Sequence, residues 1–123
     1  MKAERRIRRS DEVDAALSYQ MQACAERGGL TAMVLAERGG KVVASSRWDA
    51  DDCATVAQSL AGVDTARLVV RTQRADHAEP RVVTARGFAA HGRELVLCAV
   101  GQPNDRVLRE LYTAMQAVAR IMT

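Results

Sequence analysis

The run Ala32-Met33-Val34-Leu35-Ala36-Glu37-Arg38-Gly39-Gly40-Lys41-Val42-Val43-Ala44-Ser45-Ser46 decides the fold. Its two apolar halves, residues 30–36 and 41–46, contain β-branched side chains and are short, so they read as strands. Gly39 and Gly40 between them accept the positive φ of a primed turn, which predicts an antiparallel hairpin. A phosphate-binding loop is not supported. The GxxxxGK[ST] spacing is missing, and the glycines lead into a strand instead of a helix.

Outward from this hairpin the pattern turns helical on both sides. Before it, residues 11–27 carry Val13, Leu17, Met21 and Cys24 at helical spacing, with Ser10 placed as N-cap and Gly28-Gly29 as the stop. After it, residues 49–61 form a second helix with Asp49 as N-cap, Asp51 and Asp52 at its positive end, and Cys53, Val56, Ala57 and Leu60 on one face. The three aspartates lack the glycine and distal glutamate of a calcium loop. Residues 68–72, 81–89 and 95–100 are strand-like, joined by the polar stretch 73–80 and the turn His91-Gly92-Arg93. Asn104 then caps a third helix over 105–122, whose wide stripe of Leu108, Leu111, Met115, Val118 and Met122 predicts burial against both a sheet and another helix.

The predicted class is an α/β sandwich, a five-stranded antiparallel sheet in the order α-β-β-α-β-β-β-α, with a profilin-like layering. The last three strands are expected to continue the first hairpin as a meander. The terminal helices cover one face and the middle helix the other. Within one chain the middle helix has little to bury against, which points to a homodimer.

Composition bounds the function. The 123 residues (13.4 kDa) are 48% apolar with a net charge of +3, enough for one core and unlike a disordered chain. Residues 1–10 hold five basic side chains and one acidic one, a basic tail of +4. Residues 11–123, the single folded domain, therefore sum to −1. That near-neutral body, with four aromatic residues, argues against nucleic-acid binding. No apolar run reaches membrane-spanning length and no secretory pattern follows the basic residues, so a cytoplasmic protein without a membrane span is expected. Cys24, Cys53 and Cys98 are widely spaced and read as small buried hydrophobes. His77 with Asp76 and Glu79, and His91, are loop residues with no second cluster to complete a metal or acid-base site. Ser45 and Ser46 lack a nucleophile elbow. With no lysine-bearing phosphate loop, a nucleotide hydrolase is excluded as well, and no catalytic residue, cofactor or metal is expected.

The element order, the segment Gly40-Lys41-Val42-Val43-Ala44-Ser45 and the acid-capped helix of small residues after it resemble the Roadblock/LC7 family, over about residues 11–122. Residues 94–100 resemble its last strand and 104–123 its closing helix. The resemblance implies a bacterial Roadblock-like homodimer in which middle helices and third strands pair across a two-fold axis, here through Cys53, Val56, Ala57, Leu60, Arg67, Val69 and Arg71. It further implies a non-catalytic module that regulates or partners a small Ras-like GTPase in signalling. The short middle helix, followed early by Gly62, departs from the family pattern and alters the partner platform. Trp48, with Arg47, is the candidate partner contact, since tryptophan is enriched at interface anchors. The alternatives are a scaffold subunit of a signalling or motility complex, and a small-molecule sensor domain of profilin or GAF type.

Overall fold

The computed structural model describes residues 2–62, 68–73, 81–102 and 104–122, with side chains for 11–62, 82–102 and 104–122. Its elements are α1 (Lys2–Gly28), β1 (Ala32–Glu37), β2 (Val42–Ser45), α2 (Ala50–Ser59), β3 (Leu68–Gln73), β4 (Arg81–Ala90), β5 (Arg93–Val100) and α3 (Asp105–Ile121). Two helix starts lie where side-chain oxygens meet orphan backbone donors. Asp49 Oδ1 accepts from Asp51 N and Asp52 N at 2.9 and 3.1 Å. Asn104 Oδ1 accepts from Arg106 N and Val107 N at 2.8 and 3.2 Å.

The start of α1 differs from expectation. The helix begins at Lys2, so Ser10 lies inside it and the basic residues are helical backbone instead of a separate tail. Between Lys2 and Asp11 the chain has neither glycine nor proline and is rich in Arg, with Ala, Glu and Lys, all good helix formers, so nothing interrupts the helix.

The strands hydrogen-bond in the order β2-β1-β5-β4-β3. The expected continuation of the first hairpin is thereby corrected: β5 pairs β1 over its whole length, from Ala32↔Val100 to Glu37↔Leu95, and β3 lies far from β2. The cause is burial. Ala32 to Ala36 are all at most 1% exposed, and a strand buried on both faces needs neighbours on both sides. A sequential meander would leave β1 at an edge. The expected five-stranded, helix-covered sandwich is corrected too. The helices pack on a four-stranded antiparallel sheet, β2-β1-β5-β4. β3 is appended outside that unit as an edge strand held through β4, from Leu68↔Arg86 to Gln73↔Arg81.

Alternation along the strands divides the interior in two. Met33, Leu35, Leu95, Leu97 and Ala99 face α1 and α3, meeting Leu17, Met21, Leu111, Ala114 and Val118. Ala32, Val34, Val83, Ala85, Val96, Cys98 and Val100 face the other way, toward Cys53, Val56 and Leu60 of α2. A bulge in β2, where Leu35↔Ala44 is followed by Ala36↔Val42, leaves Val43 as the extra residue. Val43 and Ala44 both pack on the α1–α3 side, Val42 on the α2 side. Gly40, at φ +100, lies against α2 with Gln58 Cα 3.4 Å from where a Cβ would stand. That turn is tied further by Gly62 N donating to Arg38 O at 2.8 Å.

Candidate interaction surface

The α2 residues expected at a dimer interface are inside the protomer. Cys53, Val56, Ala57 and Leu60 are each 1–2% exposed, and three of them form one cluster with the second face of the sheet. The premise that this helix lacks something to bury against within one chain is corrected. Apolar residues on both faces of β1 and β5 give α2 its own floor. What α2 turns outward is polar: Asp51, Thr55 and Gln58 are exposed, with Ala54 half-buried beside them. Thr55 Oγ1 donates back to Asp51 O at 2.8 Å, a local bond that does not commit the outer face.

Val69 and Arg71 belong to β3, paired with Ala85 and Val83 by backbone register. Arg67 lies outside the described residues, as do His77, Asp76 and Glu79. Trp48 is half-buried and packs at the margin of the α2-side core. Arg47 is exposed, and its backbone N donates to Gln22 Oε1 at 2.8 Å, fastening the β2–α2 connection to α1.

The remaining candidates have structural duties. Ser46 is buried, and its Oγ accepts from Met33 N at 2.9 Å. His91 is exposed at φ +51 in the two-residue turn between β4 and β5. All three cysteines are buried free thiols. Burial pushes the Cys98 thiol up to about 12. It also raises Cys24, outweighing the lowering effect of the Gln20 hydrogen bond and the Arg27 charge. Neither has the depressed pKa of a nucleophilic cysteine. Among the described residues no group of three His, Cys, Asp or Glu side chains stands together to hold a metal ion. No helix there is long and apolar enough to cross a membrane.

Sequence reasoning missed two features. Glu110 is buried on α3 and meets Arg27 of α1, Nε to Oε2 at 3.1 Å and to Oε1 at 3.4 Å. The second is an outward apolar strip on α3. Leu108, expected in the core, is 46% exposed, and Tyr112 one turn on is 50% exposed. Arg86 of β4 lies under Tyr112, its guanidinium 5.0 Å from the ring centroid and Nη1 donating to the phenol oxygen. The i, i+4 spacing of Leu108 and Tyr112 was visible, but α3 is apolar over so wide an arc that spacing alone does not tell its inner stripe from its flank.

A small sheet with two helices on one face and one on the other defines a layered α/β domain. Solved structures place it more closely. The gliding protein MglB from Thermus thermophilus superposes with a TM-score of 0.65 at 19% identity, covering 89% of this chain and 90% of that one. An MglB solved in a tetrameric arrangement gives 0.61 at 17% identity, with 89% of each chain covered. A Roadblock/LC7 domain from Streptomyces avermitilis gives 0.61 at 19% identity, covering 86% and 98%. No protein-family model matches the chain, and no curated protein matches it. The chain thus has the Roadblock/LC7 fold, as the Gly40–Ser45 segment and the element order suggested.

Proposed function

We propose that this chain is a non-catalytic, self-associating interaction module that binds and regulates a small Ras-like GTPase. The observation that supports it is the likeness in fold to MglB over nearly nine tenths of both chains. Regulation of such GTPases is what resemblance to the Roadblock/LC7 family implies. Self-association is supported by the tetrameric arrangement of one MglB and by the place of β3 at the end of the strand order among the described residues. In this reading copies meet through the β3 edge, with Val69 and Arg71, and through the outward side of α2 around Thr55. Cys53, Val56, Ala57 and Leu60 support that surface from beneath. Trp48 and Arg47 lie beside α2 as the proposed partner contact.

The test is capture from a lysate of the protein's own cells with a non-hydrolysable GTP analogue or GDP added, read by mass spectrometry, followed by GTP hydrolysis assays. The expected result is a small GTPase retained with the GTP analogue and released with GDP, its hydrolysis accelerated by the purified chain. A set of proteins indifferent to nucleotide would replace this reading with a scaffold.

A further inference from the structure

Between Lys2 and Arg9 the chain carries five cations and one anion, Glu4, while residues 11–123 sum to −1. The backbone there is helical and continues unbroken into the packed part of α1. Among the described side chains, packing on the core begins at Val13. The helical backbone of residues 2–10 spans about 14 Å along the helix axis. In this helix Lys2, Arg5, Arg6 and Arg9 stand at i, i+3, i+4 and i+7 and share one side. Like charges at that spacing oppose the helix they occupy. Natural sequences break local rules of this kind where function requires it.

The positive charge is also confined. Asp11, Glu12 and Asp14 follow immediately and are exposed. Arg47 N bonds Gln22 just beyond the end of β2, so the opposite end of α1 points toward the end of the sheet that carries the β1–β2 turn. There Arg93 pairs with Glu37 at 2.5 Å and Arg38 with Glu94 at 3.1 Å, so these four residues add no net charge. The net positive charge of the chain is thereby concentrated in about two and a half turns of helix.

We propose that residues 2–10 are a membrane-docking arm, whose Lys2-Arg5-Arg6-Arg9 side binds anionic phospholipid headgroups and holds the folded domain at a bilayer surface. A cluster of four to eight Lys/Arg on a helix is the pattern that anionic leaflets attract. A nucleic acid following the arm would run into Asp11, Glu12 and Asp14, and the arm offers no aromatic side chain for stacking.

The experiment is vesicle flotation of the full chain, and of the triple variant Arg5→Gln/Arg6→Gln/Arg9→Gln, with phosphatidylcholine alone or with about 30% phosphatidylglycerol added. The chain is expected to float with the anionic vesicles only and to be released as salt is raised. At roughly fivefold per basic residue, the triple variant binds about 100-fold more weakly, while Arg106→Gln, exposed at the start of α3 beyond the opposite end of the sheet, binds as the unaltered chain does. Equal partition onto neutral vesicles, salt-independent binding or no binding would overturn the proposal. So would undiminished binding by the triple variant, or tighter binding of a fluorescent DNA duplex than of vesicles at the same salt.

Discussion

Arg27 and Glu110 share one ion pair unequally: the arginine side chain is 49% exposed and the glutamate 9%. Without its partner the guanidinium turns to water, whereas the carboxylate stays in the α1–α3 seam. Arg27→Gln is therefore expected to cost about 2 kcal/mol, the penalty of stranding a buried charge. Glu110→Gln, which keeps the shape and leaves a solvated cation, should cost less than about 1 kcal/mol. Urea unfolding of the two variants decides it, and equal losses would contradict the asymmetry. The buried thiols make stability depend on pH in a fixed direction. Cys98, and Cys24 with it, hold their protons in the folded state more tightly than in the unfolded chain. Their contribution is intact below about pH 8.5, the unfolded thiol value, and is lost as pH rises toward the folded value. The unfolding free energy from urea curves should fall between about pH 8 and pH 10, with a slope of up to about 1.4 kcal/mol per pH unit from Cys98. Cys98→Val should flatten that fall.

Among the elements, α2 shows how far a sequence pattern carries. Its N-cap, its first-turn aspartates and its apolar stripe of Cys53, Val56, Ala57 and Leu60 were all legible, because each is local. Which surface covers the stripe was not, since an amphipathic helix states that it buries a face and not against what. With Leu60 1% exposed inside the protomer, Leu60→Ala is expected to cost about 2–5 kcal/mol through the cavity it leaves. The loss would appear as a lowered Tm in calorimetry, and a variant that melted unchanged would return Leu60 to the surface. The hairpin turns at Gly39-Gly40 and His91-Gly92 were equally readable, the second closing a turn in which both residues have positive φ. The placement of β1 beside β5 was harder to see, because that pairing joins residues more than fifty positions apart. Its trace was the unbroken apolar run Ala32 to Ala36, which alternating edge strands do not show.

At the scale of the whole molecule, the sheet buries both of its faces under helices. α1 and α3 close one face and α2 covers much of the other, and in the proposed assembly a second copy meets the β3 edge and the outward side of α2. That side is small and polar at Asp51, Ala54, Thr55 and Gln58, the kind of surface that admits close approach without exposing a greasy patch in the separate protomer. The proposed assembly therefore separates two classes of variant. Thr55→Arg alters only the outward side and should lower the mass in light scattering toward that of one chain, with a Tm within about 4 °C of the unaltered protein, a shift that corresponds to about 1 kcal/mol. Leu60→Ala should instead lower the Tm and, at temperatures where it remains folded, keep the associated mass. If the unaltered chain scatters as a single protomer at micromolar concentration, the association falls. A dimer that survives Thr55→Arg would place the contact on β3 without α2.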